Sequence, residues 1–347
     1  MSDSHTAFIG TNAAPDEDGV YQCAVDRDAG DVAVVDAVAV GNRPNFLAVH
    51  PTENYLYTVC SSDPGTAHSI AFDESGDLSV QNEAPTGGSG LCHCSVDASG
   101  QYLLVAHYSG SSVSMLPIDD EGAVGEPSHV VEHEGSSVVA DRQSEPHPHS
   151  ITPGPDNRVA YVPDLGIDEV VCYDMDLDAG RFERRESVAV HDGAGPRHLS
   201  VHPSGDYVYL VDEIDSTVIT FERAADGSLT ELATASTLPE HVEEDSTAAD
   251  VHVHPAGEYV YVSNRGHDSI AQFDIGPDGR SSLASVASTV GDWPRNFALD
   301  PDGSFLFPEN KNSDEVRTFA VDPTSGELDP TGSVLDVPTP CCMKFQL

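Results

Sequence analysis

The sequence predicts an all-β fold, a seven-bladed β-propeller with four antiparallel strands per blade, on two observations. Short runs rich in Val, Tyr and Phe alternate with Gly-, Pro- and Asp-bearing turns about every ten residues, and no helical periodicity separates them. The outline also repeats. An apolar strand, a turn of the "HPxG" type and a second apolar strand recur six times, anchored at Pro51, Ala98, Pro155, Pro203, Pro255 and Pro301. The intervals are 47, 57, 48, 52 and 46 residues, and repeats of that length with four strands each are the sequence signature of propeller blades.

The elements follow in order. First strands precede the anchors ("FLAVH", "CSVD", "HLSVH", "VHVH", "NFALD"), and second strands follow them ("NYLYTVC", "QYLLVAH", "RVAYVPD", "DYVYLVD", "EYVYVSN", "SFLFPEN"). Third strands ("SVSMLPI", "EVVCYDM", "TVITFER", "SIAQFDI", "EVRTFAV") lead through turns such as "DGSL" and "SGEL" into a weaker fourth. The 347 residues hold about seven such units. The two ends supply the seventh. "TAFIGTN", "GVYQCAVD" and "VAVVDAVAV" read as its second to fourth strands, and "PCCMKFQL" as its first. Pairing the two ends in one blade closes the ring and removes exposed edges, so residues 1–347 are expected to form one domain.

Composition narrows the partners. Fifty-nine acidic residues face fifteen basic ones, for a formal net charge of −44, and only Lys311 and Lys344 are lysines. Such a field repels nucleic acid and anionic membranes. The acids are spread along the chain rather than blocked, as expected of a folded surface adapted to a salt-rich cytoplasm, where the Debye length falls to about 3 Å at 1 M salt. The opening "MSDSHTAFIGTN" carries neither a basic nor an apolar leader region, and no apolar run approaches a membrane span. The expectation is a cytoplasmic protein, a monomer or weak homo-oligomer. Seven cysteines without paired spacing suit reduced, buried thiols. "CHC" at 92–94 is not read as a metal site, because strand alternation puts Cys92 and Cys94 on one face and His93 on the other.

The chemistry is expected at the open end of each hairpin, away from the "HPxG" turn. The residues six before the anchors are Asn45, Cys92, His149, Arg197, Ala249 and Arg295; those ten after are Ser61, Tyr108, Leu165, Glu213, Arg265 and Lys311. Antiparallel pairing brings both columns to one mouth of the central channel. A structural ion pair between blades explains any one of these residues; their convergence at one channel end points to a site. His198 and His252 are expected near that mouth. His50, His202 and His254 read as turn and capping residues on the opposite face, and Trp293, Tyr207 and Tyr259 as packing between blades. A neighbouring column, Cys60, His107, Asp164, Asp212, Asn264 and Asn310, is read as short polar side chains closing loops. Its alternative reading is a hard-cation site, such as one for Ca²⁺, built from Asp164, Asp212, Asn264 and Asn310.

The stretches "PHPHS" at 146–150, "GAGPRHLSVHPSGDYVYLVDE" at 193–213, "AADVHVHPAGEYVYVSNRG" at 248–266 and "WPRNFALDPDGSFLFPEN" at 292–310 resemble the lactonase family of seven-bladed propellers. Its members include a bacterial-type 6-phosphogluconolactonase and a fungal carboxymuconate cyclase. The resemblance spans the chain, including "ADRQSEPHPHS" and the terminal "TPCCMKF"; "NRP" at 42–44 and "PENK" at 308–311 depart from the family pattern. It implies hydrolysis of a small anionic sugar lactone, with no cofactor, and puts the family's catalytic set on His149, Arg197, Glu213 and Arg265. His149 would then be the base, Glu213 its orienter or a proton donor, and the arginines the holders of a carboxylate, phosphate or oxyanion. Arg295, Lys311, His198 and His252 are assigned to substrate binding. No Gly-x-Ser-x-Gly element supplies a nucleophile. The alternatives are a metal-dependent lactonase, a lactonising cyclase, and a non-catalytic propeller that binds a small anion or a protein partner.

Overall fold

The structure, a computed structural model, describes residues 4–73, 76–242 and 245–346. Six antiparallel sheets follow one another in sequence, with first strands at Pro44–Val49, Leu91–Val96, Thr152–Pro153, Pro196–Val201, Thr247–Val253 and Pro294–Leu299. Each of these sheets is ordered first to fourth strand; the third adds a short strand, Val188–Ala189, against Glu169–Asp176. The seventh pairs Pro340–Phe345 with Ser4–Thr11, then Asp18–Asp26 and Val32–Ala39. The chain is therefore a seven-bladed propeller closed by its two ends, as the sequence predicts.

Burial follows strand order. Second strands such as Tyr207–Asp212 are buried almost throughout, whereas outer strands such as Val32–Ala39 are largely exposed. The core lies between blades: one cluster joins Tyr209 and Val211 to Val260, Val262 and Phe273 of the next blade. Polar staples repeat along these seams. The hydroxyls of Tyr57, Tyr161, Tyr209 and Tyr261 donate to the carbonyls of Gly122, Gly227, Gly279 and Gly326 in the following blade. Tyr207 packs against Gly279, and the Tyr259 hydroxyl donates to Thr324 O at 2.8 Å, so both tyrosines do join blades.

On the face carrying the "HPxG" turns, His202 Nδ1 accepts from Ser204 N at 3.1 Å and its Nε2 donates to Gly257 O at 2.9 Å. His254 repeats this with Ala256 N and Gly303 O, and His50 with Glu53 N and Gly100 O. The turn residue must be glycine there for two reasons. Its φ is positive (78° at Gly257), and a Cβ would lie 2.8 Å from His202 Nε2.

One irregularity positions the site. The register of the first strand slips between Pro44 and Phe46, Leu91 and His93, Pro196 and His198, Ala248 and Val251, and Pro294 and Asn296. The residue left out of the ladder is Asn45, Cys92, Arg197, Ala249 (with Asp250) or Arg295, the column six before the anchors. His149 also lies in such a stretch, between the Pro148–Asp164 bridge and the Thr152–Tyr161 pair. Bulges free a side chain from the pleat and re-aim it, which here is toward the channel. They also break the alternation expected of "CHC": Cys92 lines the mouth cavity, while His93 and Cys94 together line a second cavity.

Candidate active site

The mouth holds a cavity of about 420 Å³ lined by His149, Glu213, Arg265, Arg295, Asn45, Ser61, Cys92 and Tyr108, together with Arg43 and Arg142. Glu213 is its electrostatic centre. Its Oε2 accepts from Arg197 Nε at 3.0 Å and lies 2.9 Å from Arg265 Nη2, and its Oε1 accepts from Arg142 Nη2 at 2.5 Å. Burial alone would raise the Glu213 carboxyl, but Arg265 and Arg197 outweigh it and hold the group well below the usual carboxylate range. Glu213 is therefore an anion at neutral pH and is no proton donor, contrary to one of the roles expected of it.

Arg197 lies behind the cavity wall rather than in it. It is only 1% exposed, and burial, then Arg265 and Arg295, lower its guanidinium to about 9, so it stays charged at neutral pH. Its Nη1 donates to Ala249 O and approaches His198 Nε2 at 3.2 Å. His198 Nδ1 lies 2.7 Å from Asp250 Oδ1, and Asp250 Oδ2 also meets His252 Nε2 at 2.9 Å and the Asn296 amide. Asp250 is held well below its ordinary value because His252 and His198 outweigh its burial. Being ionised, it only accepts, so His198 carries its proton on Nδ1 and offers Nε2 to Arg197. A continuous chain Asp250–His198–Arg197–Glu213 thus runs down the channel.

His149 is buried, and its imidazole makes no hydrogen bond to any described residue. Its Nδ1 is unpartnered, and its Nε2 is 3.9 Å from Glu213 Oε2. Burial, then Arg197 and His198, hold it well below its ordinary value. It is a neutral base with both nitrogens uncommitted; Glu213 does not orient it by a hydrogen bond. Tyr108 packs edge-on against it at 5.4 Å and stacks on His147 at 4.2 Å. Cys92 is no competing nucleophile, since burial pushes its thiol up to about 12.

Several expected site residues lie elsewhere. His198 and His252 are not at the mouth but line the second cavity, of about 250 Å³, with His93, Asp250 and Lys344. The bulge is the reason: it lets Arg197 and His198 both face the channel at different depths. Lys311 does not line the mouth cavity. Nor do Asp164, Asp212, Asn264 and Asn310 converge on a cation site. Asp212 takes Thr217 of its own blade at 2.9 Å, and the other three tie a second strand to the chain leaving the preceding blade: Asp164 on His133 at 2.6 Å, Asn264 on Thr237 at 2.6 Å, and Asn310 toward Thr289 O at 3.4 Å. Trp293 packs between blades as expected: at the entry to the sixth blade its ring lies 5.5 Å from Arg265 Cζ of the fifth.

Arg43, Arg142 and Asp250 are the residues the sequence reading missed. The 57-residue interval between Ala98 and Pro155 was the signal for Arg142. The extra residues form the segment 133–150, which reaches over the mouth. Gln143 beside it donates to Leu165 O and Asp168 Oδ1, and the Asp168 carboxylate also takes the N–H groups of Gly193 and Gly195. The same aspartate therefore fixes both the Arg142 segment and the approach to Arg197.

Comparison with known proteins agrees with this architecture. The family described as "Lactonase, 7-bladed beta-propeller" matches residues 6–345. The chain is 31% identical over 345 residues to the 6-phosphogluconolactonase of Bacillus subtilis, covering 98% of both, and 30% identical over 320 residues to that of Formosa agariphila, covering 89% of this chain and 90% of the other. Among solved structures, the periplasmic gluconolactonase of Pseudomonas aeruginosa superposes with a TM-score of 0.93 at 29% identity over 99% of each chain. A ring of seven four-stranded blades and a match over nearly its whole length place this chain in the lactonase family of seven-bladed β-propellers.

Proposed function

We propose that the protein hydrolyses a sugar-type lactone, 6-phosphogluconolactone being the foremost candidate, by general acid–base catalysis at the channel mouth. One observation carries the reading: a neutral imidazole with no hydrogen bond of its own shares a cavity with a preorganised arginine cluster. His149 takes a proton from water as its oxygen bonds to the lactone carbonyl carbon. The oxyanion that forms is met by Arg265, already oriented by Glu213 and by its bond to Ala248 O at 3.0 Å. Fixed charges of this kind need no reorganisation as the transition state develops. The ring C–O bond then breaks, and the leaving oxygen takes the proton back from His149. Glu213 anchors three guanidiniums and transfers no proton. Relatives named for 6-phosphogluconolactone and for gluconolactone support the substrate class, and the scheme calls on no metal.

The test is hydrolysis of freshly generated 6-phosphogluconolactone in molar KCl, with and without chelator, beside His149→Ala. Wild type should exceed the spontaneous rate irrespective of chelator, and the variant should lose about 10²–10⁴-fold, the range for general-base catalysis. No acceleration by wild type overturns the reading; wild-type turnover by His149→Ala overturns the mechanism.

A further inference from the structure

Five arginines surround the mouth, and they divide into two groups. Arg142, Arg197 and Arg265 converge on Glu213. Arg43 and Arg295 line the same cavity, yet neither makes an ion pair or side-chain hydrogen bond with any described residue. In a chain with 59 acidic residues against 15 basic ones, two guanidiniums left without a carboxylate at one cavity are conspicuous.

Their place in the ring is on the side of the seventh blade. His149, Glu213 and Arg265 belong to the third, fourth and fifth blades. Arg295 opens the sixth, next to the blade of Arg265, and Arg43 leads into the first, so the two flank the seventh blade. The bulge position of the seventh blade is filled by Cys341, which brings no charge of its own.

The backbone at Arg43 is that of the repeat. The position two before the bulged residue has left-handed φ at Arg43 (55°), Gly90 (63°), Gly195 (73°), Trp293 (64°) and Thr339 (44°), so glycine is compatible with it.

We propose that Arg43 and Arg295 form an anion subsite for the phosphate of a phosphorylated sugar lactone, and so set the preference of the enzyme for phosphorylated over neutral lactones. The proposal rests on the lactonase reading and extends it. One guanidinium fork satisfies a carboxylate; two unpaired forks suit a phosphate, which carries about −1.5 to −2 charges and three acceptor oxygens. Asn45 lines the same cavity; its unpartnered Oδ1 only accepts, which suits a sugar hydroxyl rather than the phosphate, and its Nδ2 donates to Ser61 Oγ at 3.2 Å.

Two measurements on Arg43→Gly, Arg295→Ala and the double variant test this. Glycine at position 43 keeps the left-handed backbone, and neither arginine holds another residue, so the folded state should survive, as a melting curve checks. In the first measurement, 6-phosphogluconate and gluconate are titrated calorimetrically. Wild type should bind the phosphorylated acid at least tenfold more tightly, and the double variant should bind the two alike. In the second, the ratio of kcat/KM for 6-phosphogluconolactone over glucono-δ-lactone should fall about 100-fold in the double variant, as expected for losing charge-assisted hydrogen bonds. A wild type that does not discriminate, or a double variant that still does, overturns the subsite. Turnover of both lactones with unchanged preference in the double variant would overturn the subsite and leave the lactonase reading standing. Failure of wild type on both lactones would instead remove the lactonase reading, and the titration alone would then decide the subsite.

Discussion

The two faces of the propeller use the same repeat in opposite ways. On the turn face, equivalent positions draw on a short set: His50, His202 and His254 each take a turn N–H on Nδ1 and give Nε2 to the next blade's glycine carbonyl, Asp97 and Asp300 accept the N–H of Tyr102 and of Phe305, and Gly154 stands in the third blade. On the mouth face, the equivalent bulge positions hold Asn45, Cys92, His149, Arg197, Ala249 and Arg295, nearly all different. Blade packing is one problem posed again at every seam, so a few solutions recur. A substrate presents different groups to different blades, so the positions that face it diverge. Within a repeat protein, loss of periodicity at a backbone-equivalent position is thus itself a sign of chemistry.

That contrast is most severely tested at Glu213. Glu213→Gln leaves Arg197 and Arg265 buried without their carboxylate, and breaking a buried pair in this way costs about 3–5 kcal/mol. Equilibrium unfolding in molar KCl should show that loss together with collapse of lactone hydrolysis. Unchanged stability would mean that the arginine cluster does not depend on its central charge.

The second test concerns the chain behind Arg197. His198 does not line the mouth cavity; its ring packs edge-on against His149 at 5.3 Å between centroids and its Nε2 faces Arg197, so it acts through those two residues and is a positioning residue. His198→Ala should lower kcat about 10- to 100-fold through a misplaced Arg197, with KM little changed; a wild-type kcat would show that Asp250–His198 only fills the channel. A pH readout separates positioning from packing. Burial first, then Arg197, push His198 down to about 3. Below about pH 6.5 the unfolded chain therefore takes up a proton that the folded chain refuses, and stability falls as pH drops from there toward 3. His198→Ala should flatten this part of the stability–pH profile.

The smallest effect is expected on the other face. His202→Ala removes one seam staple and should cost about 1 kcal/mol, the usual net worth of such hydrogen bonds, with lactone hydrolysis unaltered. A fall in activity here would erase the division between the two faces.

The sequence by itself determined the ring: the period near fifty residues, the glycine turns and the split seventh blade are local or repeated signals, and each can be read one strand at a time. It also determined the level of the site, since antiparallel pairing brings the residues around Arg197 and Glu213 to one end. Tertiary structure alone decided which side chains meet. The first-strand bulge is invisible to a period-two reading, and it sends Arg197 behind the mouth, His198 and His252 into a second cavity, and Cys92 and Cys94 apart. Arg142 arrives from an insertion whose path follows from a buried aspartate contact, and Arg43 from the left-handed turn between blades. Strand identity is set by neighbours along the chain, whereas the partner of a buried charge is set by which distant segment can reach it and displace its water.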